Sequence, residues 1–317
     1  MAEQEARRHL LSIADLTGAD VERILGLAGR MAEVAAAGEK LPTLRGRTVV
    51  NLFYESSTRT STSFELAAKR LSADTLSVRA SGSSVDKGES LRDTVETLAA
   101  YRPDVIVVRH PAAGAPGIVA RASAANVVNA GDGKHQHPTQ ALLDVYTIGE
   151  TLGRLEGVQV AIVGDVLHSR VARSLVQALR LVGAHSTLVA PPTLLPRGIE
   201  SLGCEVSTDI AAVAAADVIY VLRMQRERMA AGEAFIPSLG EYTALYGITP
   251  ERVRPGQLVM HPGPMNRGIE IDPRVADAPY SLVTEQVRSG LAVRMAVLAD
   301  LAVDLEAIAA EALVELA

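Results

Sequence analysis

Tryptophan is absent from these 317 residues, phenylalanine occurs only 3 times, and there is 1 cysteine. So little aromatic surface leaves little material for platforms that stack nucleic-acid bases. The lone Cys204 excludes an intrachain disulfide and a cysteine-based metal site. Positive charge is not in surplus either: the formal net charge is −6, which argues against nucleic acid as a partner. No apolar run approaches the ~18 residues needed to cross a bilayer. The first eight residues include acids and lack an apolar core, so no signal peptide is expected. A cytoplasmic protein without membrane association is the simplest reading. Familiar cofactor motifs are missing too. There is no Walker A sequence and no Gly-x-Ser-x-Gly elbow, and Val163-Gly164-Asp165 has one glycine where a dinucleotide fingerprint has three. No nucleophile stands with a matching base, and no cofactor is expected.

What is present is an alternation. Apolar strand-type runs at about 47–53, 75–78, 105–108 and 127–129 are separated by helical spacing. The pattern restarts at 158–163 and continues at 187–189, 204–206, 218–222 and 258–260. Alternation in both halves predicts α/β architecture, with two similar domains, each a parallel sheet flanked by helices, joined by long helices. The boundaries expected are 1–150 for the first domain and 151–280 for the second. A long helix at about 281–304 should pack back on the first. Hydrophobic residues at 48% supply both cores.

The stretch Glu55 to Glu65 organises the first half. It runs from a strand through Ser57-Thr58-Arg59-Thr60 into a helix whose apolar face is Phe64, Ala67, Ala68 and Leu71. A helix start offers unpaired N–H groups and the positive end of a dipole. Hydroxyls and a fork-shaped guanidinium add further donors, a combination suited to phosphate. An N-cap needs one hydroxyl, and this turn has several around an arginine.

In parallel sheets ligands gather beyond the C-terminal strand ends, and the other polar candidates follow strands. Arg109 could clamp the same anion as Arg59. His137 and Gln140 are spaced i, i+3 at a helix start opened by Pro138, so both can face one ligand. His135 and His137 form a His-x-His pair without a third ligand at useful spacing, so metal is not expected. Arg170 follows Gly164-Asp165. Arg223 and Gln225 alternate and point the same way in extended chain. Two further arginines imply a second anionic group, most simply a carboxylate.

Taken together, Ser57-Thr58-Arg59-Thr60, Lys87-Gly88-Glu89, Arg109-His110-Pro111, His137-Pro138-Thr139-Gln140, Arg170, Arg223-Met224-Gln225 and His261-Pro262-Gly263-Pro264 resemble the transcarbamoylase family. The similarity spans nearly the whole chain in the family's order, and Ser-Thr-Arg-Thr with His-Pro-x-Gln is highly specific. It favours the aspartate branch. The ornithine branch is expected to carry Ser-Met-Gly in its substrate loop and a cysteine after its late histidine, where Arg223-Met224-Gln225 and His261-Pro262 stand here. The resemblance implies transfer of the carbamoyl group of carbamoyl phosphate to the amine of L-aspartate, a step of pyrimidine synthesis. Ser57, Thr58, Arg59, Thr60, Ser83 and Arg109 would bind carbamoyl phosphate, and Thr60, Arg109 and His137 would polarise its carbonyl. Gln140 and the backbone near Pro262-Gly263 would hold the carbamoyl NH₂. Lys87, Arg170, Arg223 and Gln225 would hold L-aspartate. Ser83 and Lys87 would reach into the site of a neighbouring subunit of a homotrimer. Regulatory chains or a dihydroorotase could join such a trimer.

Two positions depart from the family pattern. Val171 follows Arg170 where some members have threonine, and Asp86 beside Lys87 would weaken the local positive field. Three rival readings are carried alongside. One is an ornithine or other amino-acid carbamoyltransferase, and another a non-catalytic anion-binding subunit of the same fold. The third, a nucleotide-dependent dehydrogenase, is opposed by the missing glycines.

Overall fold

The computed structural model describes residues 9–79, 88–225 and 235–302. Ser83, Lys87 and the 305–317 tail lie outside them. The chain divides into two compact units: residues up to Thr139 together with those from Ser289 on, and Gln140–Arg288.

In the first unit, α1 (Gly18–Ala37) opens on a capping box in which Thr17 and Asp20 satisfy each other's backbone N–H, and it closes on Gly38 at φ 73°. The hydrogen bonds from Thr17 hold the Asp20 carboxyl at a pKa of about 2. Then come β1 (Thr48–Phe53), α2 (Thr58–Arg70), β2 (Asp74–Arg79), α3 (Leu91–Ala99), β3 (Val105–His110), α4 (Ala115–Ala122) and β4 (Asn126–Asp132). The strands pair in parallel in the order β2-β1-β3-β4. The inner strands read as nearly continuous apolar runs, broken in β1 by the buried Asn51, because both faces are covered. One face buries Val50, Leu52, Ile106, Val108 and Val127 with Val95 and Leu98 of α3 and Val119 of α4. Phe64, Ala67 and Ala68 of α2 are also fully buried, each such apolar side chain as large as Phe64 contributing roughly 1.5–3 kcal/mol. Edge strand β2 has no buried residue.

The helix α5 (Pro138–Leu152) contains the boundary between the units. The second unit continues with β5 (Gln159–Val163), α6 (Arg170–Leu181), β6 (His185–Val189), β7 (Glu205–Ser207), β8 (Val218–Val221), α7 (Leu239–Tyr246), β9 (Leu258–Met260) and α8 (Pro273–Ala276). Its sheet is also parallel, in the order β7-β6-β5-β8-β9. Its core joins Ala161, Val163, Val189, Ile219, Val221 and Val259 to Val213, Ile248 and Ile271. The last helix, α9 (Val283–Ala302), crosses back into the first unit, where the Arg294 guanidinium lies 5.3 Å from the Phe64 ring centroid.

Several local expectations shift. The sequence places the third strand at 105–108, ending at Arg109-His110-Pro111, and the strand runs on through His110 because Phe53 pairs with Arg109 and His110 with Asp132. Helices α7 and α8 went unread. Both are short, and their caps, Ser238 and Asp272, are the main signals they carry. No described helix is long and apolar enough to cross a membrane.

Candidate active site

In the first sheet, β1 and β3 are neighbours although β2 separates them in sequence, so the strand order reverses between them. Ligands favour the crevice beyond the carboxyl ends at such a switch point. The residues there are those that follow β1 and end β3. Ser57 caps α2, its hydroxyl accepting from the Thr60 amide at 3.4 Å. Thr58, Arg59 and Thr60 are therefore the first turn of α2 and not a loop, which aims the first-turn amides beyond the strand end. Thr60 is buried, while Thr58 and Arg59 are exposed. Ser61 and Ser63 are otherwise engaged, donating to the Ser57 and Arg59 carbonyls at 2.7 Å. Partial desolvation lowers the Arg59 pKa, but a guanidinium stays charged.

Arg109 lies within β3, and its direction is set there. Its Nη1 donates to the Ala130 carbonyl at 3.3 Å and its Nε lies 3.5 Å from Glu55 Oε2. With its side chain 12% exposed, this is not a surface ion pair. After β4 the buried Asp132 builds the turn toward His137. Its Oδ1 accepts from Asn129 Nδ2 at 2.8 Å and from the Gln136 amide at 3.0 Å, and its Oδ2 accepts from the Gly114 amide at 2.7 Å. His135 Nδ1 also faces Asp132 Oδ2, at 3.1 Å, whereas His137 is 4% exposed just ahead of α5. The two histidines thus have different surroundings.

The second sheet repeats the arrangement. Strand order reverses between β5 and β8, and the segments that follow those strands carry Asp165 to Arg170 and Leu222 to Gln225. Asp165, fully buried, ties the two together. Its Oδ1 accepts from the His168 amide at 3.2 Å and stands 2.8 Å from His168 Nδ1, and its Oδ2 accepts from the Gln225 amide at 3.1 Å. Arg170 is the first residue of α6, capped by Ser169, and is 4% exposed. Met224 is fully buried between the partly exposed Arg223 and Gln225, so those two share the side away from the core. Gly164 makes the turn possible at φ 124°, and a Cβ there would lie 3.0 Å from the Leu222 carbonyl oxygen. Gly164→Ala should therefore lower the thermal midpoint by several degrees, at about 2–4 °C per kcal/mol of strain. A scan within a degree of the unsubstituted protein would show that the turn relaxes freely.

The loop after β9 is held from behind. The His261 amide donates to Gln286 Oε1 at 2.9 Å. His261 Nδ1 accepts from the Gly263 amide at 2.8 Å, and Nε2 faces Glu270 Oε1 at 3.2 Å. Gln140, also of the second unit, donates through Nε2 to Asp144 at 3.0 Å. The sequence reading missed Glu55, Asp132, Asp144, Asp165 and Glu270. Local spacing carries a signal for three of them: Asp144 stands four residues from Gln140, Asp132 three from His135, and Asp165 three from His168.

Two parallel α/β units, each with arginines at the switch point of its sheet, define an enzyme class that handles anionic substrates. The match to known proteins agrees. Residues 8–150 match the model for the carbamoyl-P binding domain of aspartate/ornithine carbamoyltransferase, and residues 156–301 match that for its Asp/Orn binding domain. The chain belongs to the aspartate/ornithine carbamoyltransferase family. It is 59% identical to the aspartate carbamoyltransferase catalytic subunit of Parafrankia sp. (strain EAN1pec), over 92% of this chain and 95% of that one. It is 55% identical to that of Moorella thermoacetica, over 92% and 96%. Among solved structures it is similar to aspartate transcarbamoylase from Trypanosoma cruzi in complex with carbamoyl phosphate and aspartate, with TM-score 0.85 and 32% identity over 93% and 97% of the chains. The catalytic subunit of M. jannaschii aspartate transcarbamoylase gives 0.81 and 38% over 94% and 99%.

Proposed function

We propose that this chain transfers the carbamoyl group of carbamoyl phosphate to the amine of L-aspartate, giving N-carbamoyl-L-aspartate and phosphate for pyrimidine synthesis. The observation that carries the reading is the pair of switch points, one lined by Ser57, Thr58, Arg59, Thr60 and Arg109 and the other by Arg170, Arg223 and Gln225. Relatives that share over half their residues with it are named for this activity.

The α2 first turn and Arg109 hold the phosphate of carbamoyl phosphate, while Thr60, Arg109 and His137 donate to its carbonyl oxygen. Gln140 and the Pro262-Gly263 backbone accept from the carbamoyl NH₂. Arg170, Arg223 and Gln225 grip the aspartate carboxylates. The amine attacks the carbonyl carbon, a C–N bond forms, and the C–O bond to phosphate breaks as the amine passes a proton to the departing phosphate. Preorganised donors around the oxyanion and the positioning of the two anions supply most of the rate. Ser83 and Lys87 act in the site of the next chain of a homotrimer, and the enzyme works in the cytoplasm.

The direct test is phosphate release from carbamoyl phosphate with L-aspartate present, absent, or replaced by L-ornithine. Release should require aspartate, and release driven by ornithine alone would overturn the substrate assignment. In the same assay Gln225→Ala should raise the KM for aspartate roughly tenfold and that for carbamoyl phosphate far less, since a contact equal in ground and transition states appears in KM. Equal weakening of both substrates would place Gln225 elsewhere.

A further inference from the structure

Asp144 lies in α5 with no exposed surface. Hydrogen bonds from three elements converge on it. Oδ1 receives Gln140 Nε2 at 3.0 Å and Gln286 Nε2 at 2.7 Å, and Oδ2 receives the Tyr220 hydroxyl at 2.6 Å. Burial first, and then the nearby Asp144 charge, raise the Tyr220 pKa well above its usual value, so the phenol stays a donor. The acceptor set orients both glutamines. Gln286 can meet a carboxylate and the His261 amide together only with its NH₂ on Asp144 and its oxygen on the amide. Gln140, with its NH₂ on Asp144, has its own oxygen turned away from that carboxylate and ready to accept.

We infer that Asp144 is a positioning residue for carbamoyl recognition: it fixes the polarity of the Gln140 amide and, through Gln286, the register of the His261–Pro264 backbone. Both groups assigned above to the carbamoyl NH₂ then hang from one carboxylate. The inference rests on that assignment. Its consequence is selective. Asp144 should govern how well the site distinguishes a carbamoyl group, not how well it holds a phosphate, because the two groups it positions, Gln140 and the Pro262-Gly263 backbone, are both assigned to the carbamoyl NH₂.

The test compares dissociation constants for phosphonoacetamide, a stable analogue carrying the amide, with those for inorganic phosphate, in otherwise intact enzyme. Gln140→Ala should weaken phosphonoacetamide about tenfold relative to phosphate, the scale of one well-made hydrogen bond. Asp144→Ala should shift the same ratio in the same direction and by at least as much, because it also loosens the Pro262-Gly263 backbone, and adding Gln140→Ala to it should shift the ratio little further, since the Gln140 orientation is already lost. A purely structural Asp144 would weaken both ligands together, or leave Gln140→Ala its full effect in the Asp144→Ala background, and either result overturns the inference. If Asp144→Ala does not fold, Asp144→Leu with Tyr220→Phe makes the same comparison, because donor and acceptor are removed together. An unchanged ratio in Gln140→Ala would instead refute the placement of Gln140 on the carbamoyl group. A shift there without one at Asp144 would refute the relay alone.

Discussion

Arg59→Ala should leave a folded protein whose kcat has fallen by about 10²–10³-fold or more, the cost of removing one charged donor from a developing anion. The guanidinium stands in the first turn of α2 at an exposed position, so its loss opens no core cavity. The turn itself survives, because Ser57 and not Arg59 supplies the cap and Phe64, Ala67 and Ala68 anchor the helix. Negative charge passes from the carbamoyl oxyanion to the departing phosphate as the C–O bond breaks, so the contact strengthens along the reaction and its removal appears in kcat more than in KM. Arg59→Lys should recover only part of the rate, since an ammonium restores charge without the planar fork. An Arg59→Ala protein with an unchanged thermal midpoint and near-normal kcat would remove Arg59 from the phosphate site.

Mixing two dead enzymes should restore activity. If Lys87 serves the neighbouring subunit, trimers of Lys87→Ala chains and trimers of Arg59→Ala chains are each nearly inactive. In a closed mixed ring, some interface joins a chain with intact Arg59 to a neighbour that supplies an intact Lys87. Each mixed ring therefore rebuilds one unmodified site out of three, and the recovered rate should follow the fraction of mixed rings. A site made within one chain gives no recovery, because every site keeps a lesion. Subunit exchange confirmed by native mass spectrometry, with no gain in rate, would refute the shared site.

Much of this was legible in the linear chain because it is locally encoded. The parallel strands declare themselves as apolar runs such as Val105 to Val108, and α2 declares its start through Ser57 and its face through Phe64, Ala67 and Ala68. The identities of Arg59, Arg109, His137, Arg170, Arg223 and Gln225 were visible because cationic or polar groups just past strand ends are conspicuous against apolar runs. Caps and periodicities act within a few residues, so contiguous sequence determines them.

Strand order is another matter. Nothing between β1 and β3 states that they are neighbours, or that β5 lies beside β8, and it is these adjacencies that make switch points of their ends. Parallel pairing joins segments far apart in sequence, and which strands meet is settled by packing both faces of each sheet at once. The buried acids were hidden for the same reason. In sequence Asp144 and Asp165 show at most a polar neighbour three or four residues away, Gln140 and His168. Only folding brings Gln286, 142 positions away, and Tyr220, 76 away, onto Asp144, and the Gln225 amide, 60 away, onto Asp165. A buried carboxylate is tolerable only where such donors converge on it, and their convergence is a property of the tertiary structure alone.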